Sequence, residues 1–199
     1  MPLSDCTHWI FDMDGTLTLP IHDFDDIRAQ LGIRAGAPIL EAIEAMPAKH
    51  ATELTQKLHD IEMEIAAQAR PQPGAKELLQ AMQQQGLYLG ILTRNGKDIA
   101  LATLAAAGLE FFAEQHIIGR ECCEPKPSPA GVQRLLDLWN APQPHTVMVG
   151  DFLYDIEAGR KAGVNTVHFD QSGEFKWPEF TDHEITDLAD LTQLIGLPI

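Results

Sequence analysis

The chain has 199 residues, a formal net charge of −15, 45% hydrophobic and 22% charged side chains. That length allows one or two domains with a substantial core, and the balance is that of an ordinary globular protein. An acidic excess with no basic stripe argues against nucleic acid and anionic membranes as partners; a small anionic substrate stays open if a metal and a few cations reverse the field locally.

Residues 7–13 predict the first strand, an apolar run through Trp9, Ile10 and Phe11 that Gly15 ends sharply. From Thr18 to Arg70 the texture is helical. Phe24, Ile27 and Leu31 are helically spaced, as are Ile39, Leu40, Ile43 and Met46. Ala51, Leu54, Leu58, Ile61 and Ile65 then mark one apolar face of a long helix. About three helices and no strand are expected here, as a small insertion between Pro20 and the Pro71–Gly74 stretch. At this size it should lean on the main body.

After Gly74, helices and strands alternate. Helices are expected over 75–85, 97–107, 128–139 and 153–162, and strands over 87–93, 115–119, 146–150 and 165–169. Ser128-Pro129 reads as a helix opening, and Gly86, Gly108 and Gly163 as helix ends. Residues 184–195 suggest one more short strand and helix. The expected fold is therefore α/β, a doubly wound, Rossmann-like parallel sheet with an inserted small helical cap. Residues 1–17 and 71–199 would form the core and 18–70 the cap.

Such sheets bind ligands beyond the carboxyl ends of their strands. Chemically loaded residues should fall there, and they do: Asp12 and Asp14 after the first strand, Thr93, Arg94 and Asn95 after the second, Asp151 after Gly150. Lys126 lies in a loop between two prolines. In a β geometry, side chains at i and i+2 share a face, so Asp12 and Asp14 would enter one pocket. At about 5 Å and an effective dielectric of about 20 they would repel by roughly 3 kcal/mol. A cation, a shared proton or solvent must relieve this. Taken singly, each residue has a plainer reading: a turn, a strand threonine, a loop lysine, or a helix-capping Asp151 and Asp155.

Taken together and in order, Asp12-Met-Asp-Gly-Thr16, Thr93, Lys126 and Gly150-Asp-Phe-Leu-Tyr-Asp155 resemble the four motifs of the haloacid dehalogenase-like superfamily. The helical insertion resembles its phosphoglycolate-phosphatase-like branch. The resemblance implies a Mg²⁺-dependent phosphatase of a small phosphorylated metabolite, working through an aspartyl-phosphate. Asp12 would be the nucleophile and Asp14 the general acid and base. Asp12, the backbone carbonyl of Asp14, and Asp151 would hold Mg²⁺. Thr93, Arg94 and Lys126 would bind phosphate, with Asp155 behind them orienting Lys126 or a metal-bound water. The presence of Asp14 favours a phosphate ester over carbon–halogen or carbon–phosphorus substrates. Thr18-Leu-Thr-Leu-Pro departs from the acidic residue many members of that branch carry there, which counts against phosphoglycolate. A phosphomutase of the same family, and a non-catalytic phospho-receiver or binding protein, are the competing readings.

Specificity is expected from the insertion and from Arg94, with His22, Arg34, Lys49 and His50 as polar candidates. Three cysteines, Cys6, Cys122 and Cys123, fit neither a disulfide framework nor a CxxC site, so a reducing cytoplasm is expected. No signal peptide and no membrane span are expected. A monomer or weak homodimer is the expected state.

Overall fold

A computed structural model describes residues 2–197. Six strands form one parallel sheet: β1 (His8–Phe11), β2 (Tyr88–Leu92), β3 (Ile117–Ile118), β4 (Thr146–Gly150), β5 (Asn165–Phe169) and β6 (His183–Ile185), in the order β3-β2-β1-β4-β5-β6. Five helices cover it: α4 (Ala75–Gln84), α5 (Lys97–Ala107), α6 (Ala130–Trp139), α7 (Leu153–Ala162) and α8 (Leu188–Leu194). Three more, α1 (Phe24–Leu31), α2 (Ile39–Glu44) and α3 (Ala48–Ala66), lie between β1 and α4.

The period of two along each strand sorts side chains between the faces. Trp9, Phe11, Val147 and Val149 pack with Leu78, Leu79 and Met82 of α4, Leu104 of α5, and Leu188 and Leu191 of α8. Ile10 and Met148 face the other way, onto Val132, Leu135 and Leu136 of α6 and Ala158 and Ala162 of α7. Every residue of β1 and β4 is buried. Burying one such large apolar side chain stabilises by about 1.5–3 kcal/mol. This is why the central strands read as nearly unbroken apolar runs.

Strands β1 and β3 are shorter than their expected ranges, 7–13 and 115–119. β1 stops at Phe11 because the next residues turn: the Met13 carbonyl accepts the N–H groups of Leu17 and Thr18, both at 2.9 Å. β3 keeps two residues because Glu114–His116 closes into a 3₁₀ turn before it. The two acids therefore approach from a turn rather than from a continuing strand. Asp12 stays latched to the sheet, its N–H donating to the Val149 carbonyl at 2.9 Å.

The inserted helices have an apolar cluster of their own, made of Ile27, Leu31, Ile33, Ile43, Leu54 and Leu58. The Asp23 carboxylate starts α1 by accepting the N–H groups of Asp25 and Asp26. The entering and leaving segments run side by side, with Leu19 N–H to the Arg70 carbonyl at 3.0 Å and Gln72 N–H to the Leu17 carbonyl at 2.8 Å. No helix among the described residues is long and apolar enough to cross a membrane.

Candidate active site

Strand order reverses around β1, with β2 on one side and β4 on the other. A cleft of about 540 Å³ lies beyond the carboxyl ends of these strands and under the inserted helices. Asp12, Asp14, Thr93, Arg94, Lys126, Asp151 and Asp155 all line it. Residues up to 143 positions apart in sequence are thus gathered at the place where open α/β sheets bind ligands.

Lys126 is the centre of charge. Only 4% of it is exposed. Its Nζ lies 2.5 Å from Asp12 Oδ1 and 2.6 Å from Asp155 Oδ1. Burial opposes the ammonium charge, but the Asp12 and Asp155 carboxylates outweigh it and hold the lysine above its ordinary pKa. The other Asp155 oxygen accepts the Phe152 N–H at 3.0 Å and so fixes the first turn of α7.

Asp151 is placed by the turn after β1. Gly15 has φ +93°, and a Cβ there would overlap the Asp151 carboxylate. The Thr16 hydroxyl donates to Asp151 Oδ1 at 3.0 Å. Gly150 is similarly constrained, since a Cβ on it would collide with Asp155. The two glycines beside the aspartates therefore let carboxylates approach backbone where any side chain would block them.

Asp12, Asp151 and Asp155 each offer a carboxylate oxygen, and the three lie within 4.8 Å of one another. Among the described residues, no N–H donates to the backbone carbonyl of Asp14. An all-oxygen donor set of this kind suits a hard divalent cation such as Mg²⁺ or Ca²⁺. The electrostatics agree. Burial pushes the carboxyls of Asp12, Asp14, Asp151 and Asp155 up to about 6 each, only partly countered by Lys126. Asp151 adds to the rise at Asp12, and Asp155 to that at Asp151. A bound cation would relieve this repulsion.

The Asp14 carboxylate points elsewhere. Asn95 Nδ2 donates to its Oδ2 at 2.7 Å, and His22 Nδ1 lies 3.7 Å from its Oδ1. Thr93 is buried, and its Oγ1 accepts the Asn95 N–H at 3.1 Å. Arg94 bonds Glu41 of α2 at 3.1 Å and lies over the Tyr154 ring, 5.4 Å from its centroid. That pair uses one Nη2 N–H of Arg94; its buried Nε has no hydrogen-bond partner among the described residues. Of the polar candidates from the insertion, His22 reaches the cleft; Arg34, Lys49 and His50 do not line it.

Several contacts have no local signature. Thr16 on Asp151 and Asn95 on Asp14 depend on loops meeting in space. Arg120 forms a two-pronged pair with buried Glu62 of α3, at 3.0 and 2.5 Å. Arg120 had a signal, since it follows β3 just as the other loaded residues follow their strands. Glu62 had none: it reads as a polar position on a long amphipathic helix.

The family model described as haloacid dehalogenase-like hydrolase matches residues 23–169. The chain belongs to that family. Among haloacid dehalogenase-like relatives, the chain is 25% identical over 207 residues to the pyrophosphatase PpaX of Halalkalibacterium halodurans, covering 94% of this chain and 96% of that one. It is 26% identical over 181 residues to a plasmid-encoded phosphoglycolate phosphatase of Cupriavidus necator, covering 80% and 78%. The fold resembles the crystal structure of a hydrolase from Pseudomonas syringae, with a TM-score of 0.75 at 23% identity over 94% of this chain and 96% of that one. The protein is thus a hydrolase with the α/β fold of this family.

Proposed function

We propose that this chain is a Mg²⁺-dependent phosphatase that hydrolyses a small phosphorylated metabolite through a phosphoryl group held on Asp12. The observation that carries the reading is the buried Asp12–Lys126–Asp155 array beside Asp151, at the floor of a cleft that also receives Asp14. Names of relatives support it, since two of them are a phosphatase and a pyrophosphatase.

Asp12 is the nucleophile. One of its oxygens attacks phosphorus while the bond from phosphorus to the leaving oxygen breaks. Lys126 holds Asp12 in place and offsets charge on the phosphoryl oxygens. The Thr93 hydroxyl and the Arg94 N–H beside it bind the same oxygens. Asp14 gives its proton to the departing alkoxide. In the second half it removes a proton from water, whose oxygen attacks phosphorus; the bond to Asp12 breaks and the carboxylate is restored. Burial keeps the Asp14 carboxyl at about 6, near enough to neutrality to run in both directions. Asn95 fixes its orientation. Mg²⁺, held by Asp12, the Asp14 carbonyl and Asp151, would supply a positive charge that offsets the phosphoryl group. Asp155 steadies Lys126.

Residues 18–70 act as a cap that moves on the paired segments at Leu19–Arg70 and Leu17–Gln72, and excludes water when closed. Its own apolar cluster supports that reading. Three free cysteines suit a reducing cytoplasm, and the strong negative charge a monomer or weak homodimer.

The test is phosphate release from a panel of phosphorylated metabolites with Mg²⁺. EDTA should abolish turnover and Mg²⁺ restore it. Asp12→Asn should be inert. Equal inertness of the wild-type chain would end the proposal, and an isomeric ester formed without inorganic phosphate would make the protein a mutase.

A further inference from the structure

We propose that the leaving group is uncharged and partly apolar, so that this cleft selects phosphate esters of neutral alcohols or phenols over esters carrying a second anion. The proposal rests on the phosphatase reading above and specifies its substrate class.

Each basic side chain that lines the cleft already has a carboxylate beside it. Lys126 is held by Asp12 and Asp155. Arg94 gives Glu41 one N–H at 3.1 Å while its buried Nε has no partner among the described residues, and Arg120 lies in the two-pronged grip of Glu62. Arg28 bonds Asp25 at 2.7 Å and the Ala37 carbonyl at 2.8 Å. His22 faces Asp14 at 3.7 Å. A guanidinium recognises an anion through two parallel N–H groups, and at Arg120 those two positions are taken. A substrate carboxylate could use Arg120 only by displacing Glu62. That exchange trades one ion pair for another and strands a buried carboxylate.

The overall field points the same way. Six carboxylates line the cleft (Asp12, Asp14, Glu41, Glu62, Asp151, Asp155), against the permanent cations of Arg28, Arg94, Arg120 and Lys126. The formal excess is two negative charges with all six ionised, and one when Asp14 holds the proton it delivers. A bound divalent cation offsets it, and a phosphoryl dianion restores it. A further anion on the leaving group would enter a space of negative potential.

What the insertion offers instead is apolar. Phe24, Ile27, Ile39, Leu40 and Leu58 line its side of the cleft. Phe24 is 55% exposed, and Phe152, across from the insertion, 49%. Aromatic surface left in water within a cleft of this size is what a carbon-rich leaving group would cover. The relatives named above act, by their names, on phosphoglycolate and pyrophosphate, whose leaving groups are anions. In this chain each cleft arginine that could meet such an anion already faces a carboxylate of the insertion, Glu41, Glu62 or Asp25.

The experiment compares phenyl phosphate with 4-carboxyphenyl phosphate, using the full chain with Mg²⁺. The ring is the same, and the added carboxylate makes the phenol a slightly better leaving group, so chemistry alone does not favour the neutral ester. The expected kcat/KM is at least about tenfold lower for the carboxylated ester. Glu41→Gln, which releases Arg94, should narrow that ratio by about threefold or more. Equal or faster hydrolysis of the carboxylated ester by the wild-type chain overturns the proposal while leaving a phosphatase. A ratio unchanged in Glu41→Gln overturns it as well. If neither ester turns over, and neither does any member of the metabolite panel, the phosphatase reading falls and this proposal with it.

Discussion

Replacing Lys126 with Met removes the ammonium that Asp12 and Asp155 share and keeps most of its volume. Both contacts are short, at 2.5 and 2.6 Å, and all three residues are buried. Breaking a buried ion pair by deleting one partner costs about 3–5 kcal/mol, because a charge is left uncompensated. Here the stranded groups can escape by taking up protons. Their carboxyls already stand at about 6 with the lysine present, and losing it pushes them higher. Above pH 6 Asp12 and Asp155 therefore hold more protons in the folded variant than in the folded wild type, and the variant's deficit grows with pH. Each tenfold rise in a carboxyl's proton affinity is worth about 1.4 kcal/mol, so a rise of about 10²–10³-fold, felt between pH 6 and pH 8.5, accounts for about 3–4 kcal/mol. At pH 5.5 the wild-type carboxyls are themselves largely protonated, and the deficit should shrink to about 1 kcal/mol. Urea unfolding in EDTA, followed by tryptophan fluorescence, measures this. With a slope of about 2–3 kcal/mol/M, the midpoint should fall by about 1–2 M at pH 8.5 and by under about 0.5 M at pH 5.5. An equal fall at both pH values would refute the buried triad as the source.

The other predictions concern the same site. Asp14→Asn should keep its fold and its Mg²⁺-induced thermal shift, yet lose about 10²–10⁴-fold in kcat; unfolding instead of slowing would argue against an acid–base role. Gly15→Ala should lose about 1–3 kcal/mol of stability and bind Mg²⁺ more weakly, since a Cβ at φ +93° meets the Asp151 carboxylate; an unchanged melting temperature would contradict that geometry. The four carboxyls at about 6 lie above their ordinary value of 3.8. The folded chain thus holds extra protons between about pH 4 and pH 6, and the stability these groups contribute falls as pH rises through that window. Saturating Mg²⁺ should raise the melting temperature far more at pH 7.5 than at pH 5, and equal shifts would show that the ion binds elsewhere.

The sequence by itself determined the sheet and its helices, because burial on both faces writes central strands as apolar runs and half-buried helices as stripes. It also placed the acids and Thr93 just beyond strand ends, where a parallel sheet gathers them whatever the loops do. That logic is local, since it needs only the period of each element and the residue that follows it. What only the tertiary structure decided is which charge meets which. Asp155 lies against Lys126, Asn95 against Asp14, Arg94 against Glu41 and Arg120 against Glu62. None of these partners is within one helical turn of the other in sequence. Each pairing depends on how the inserted helices and the loops settle over the sheet, and no periodicity in the chain encodes that docking.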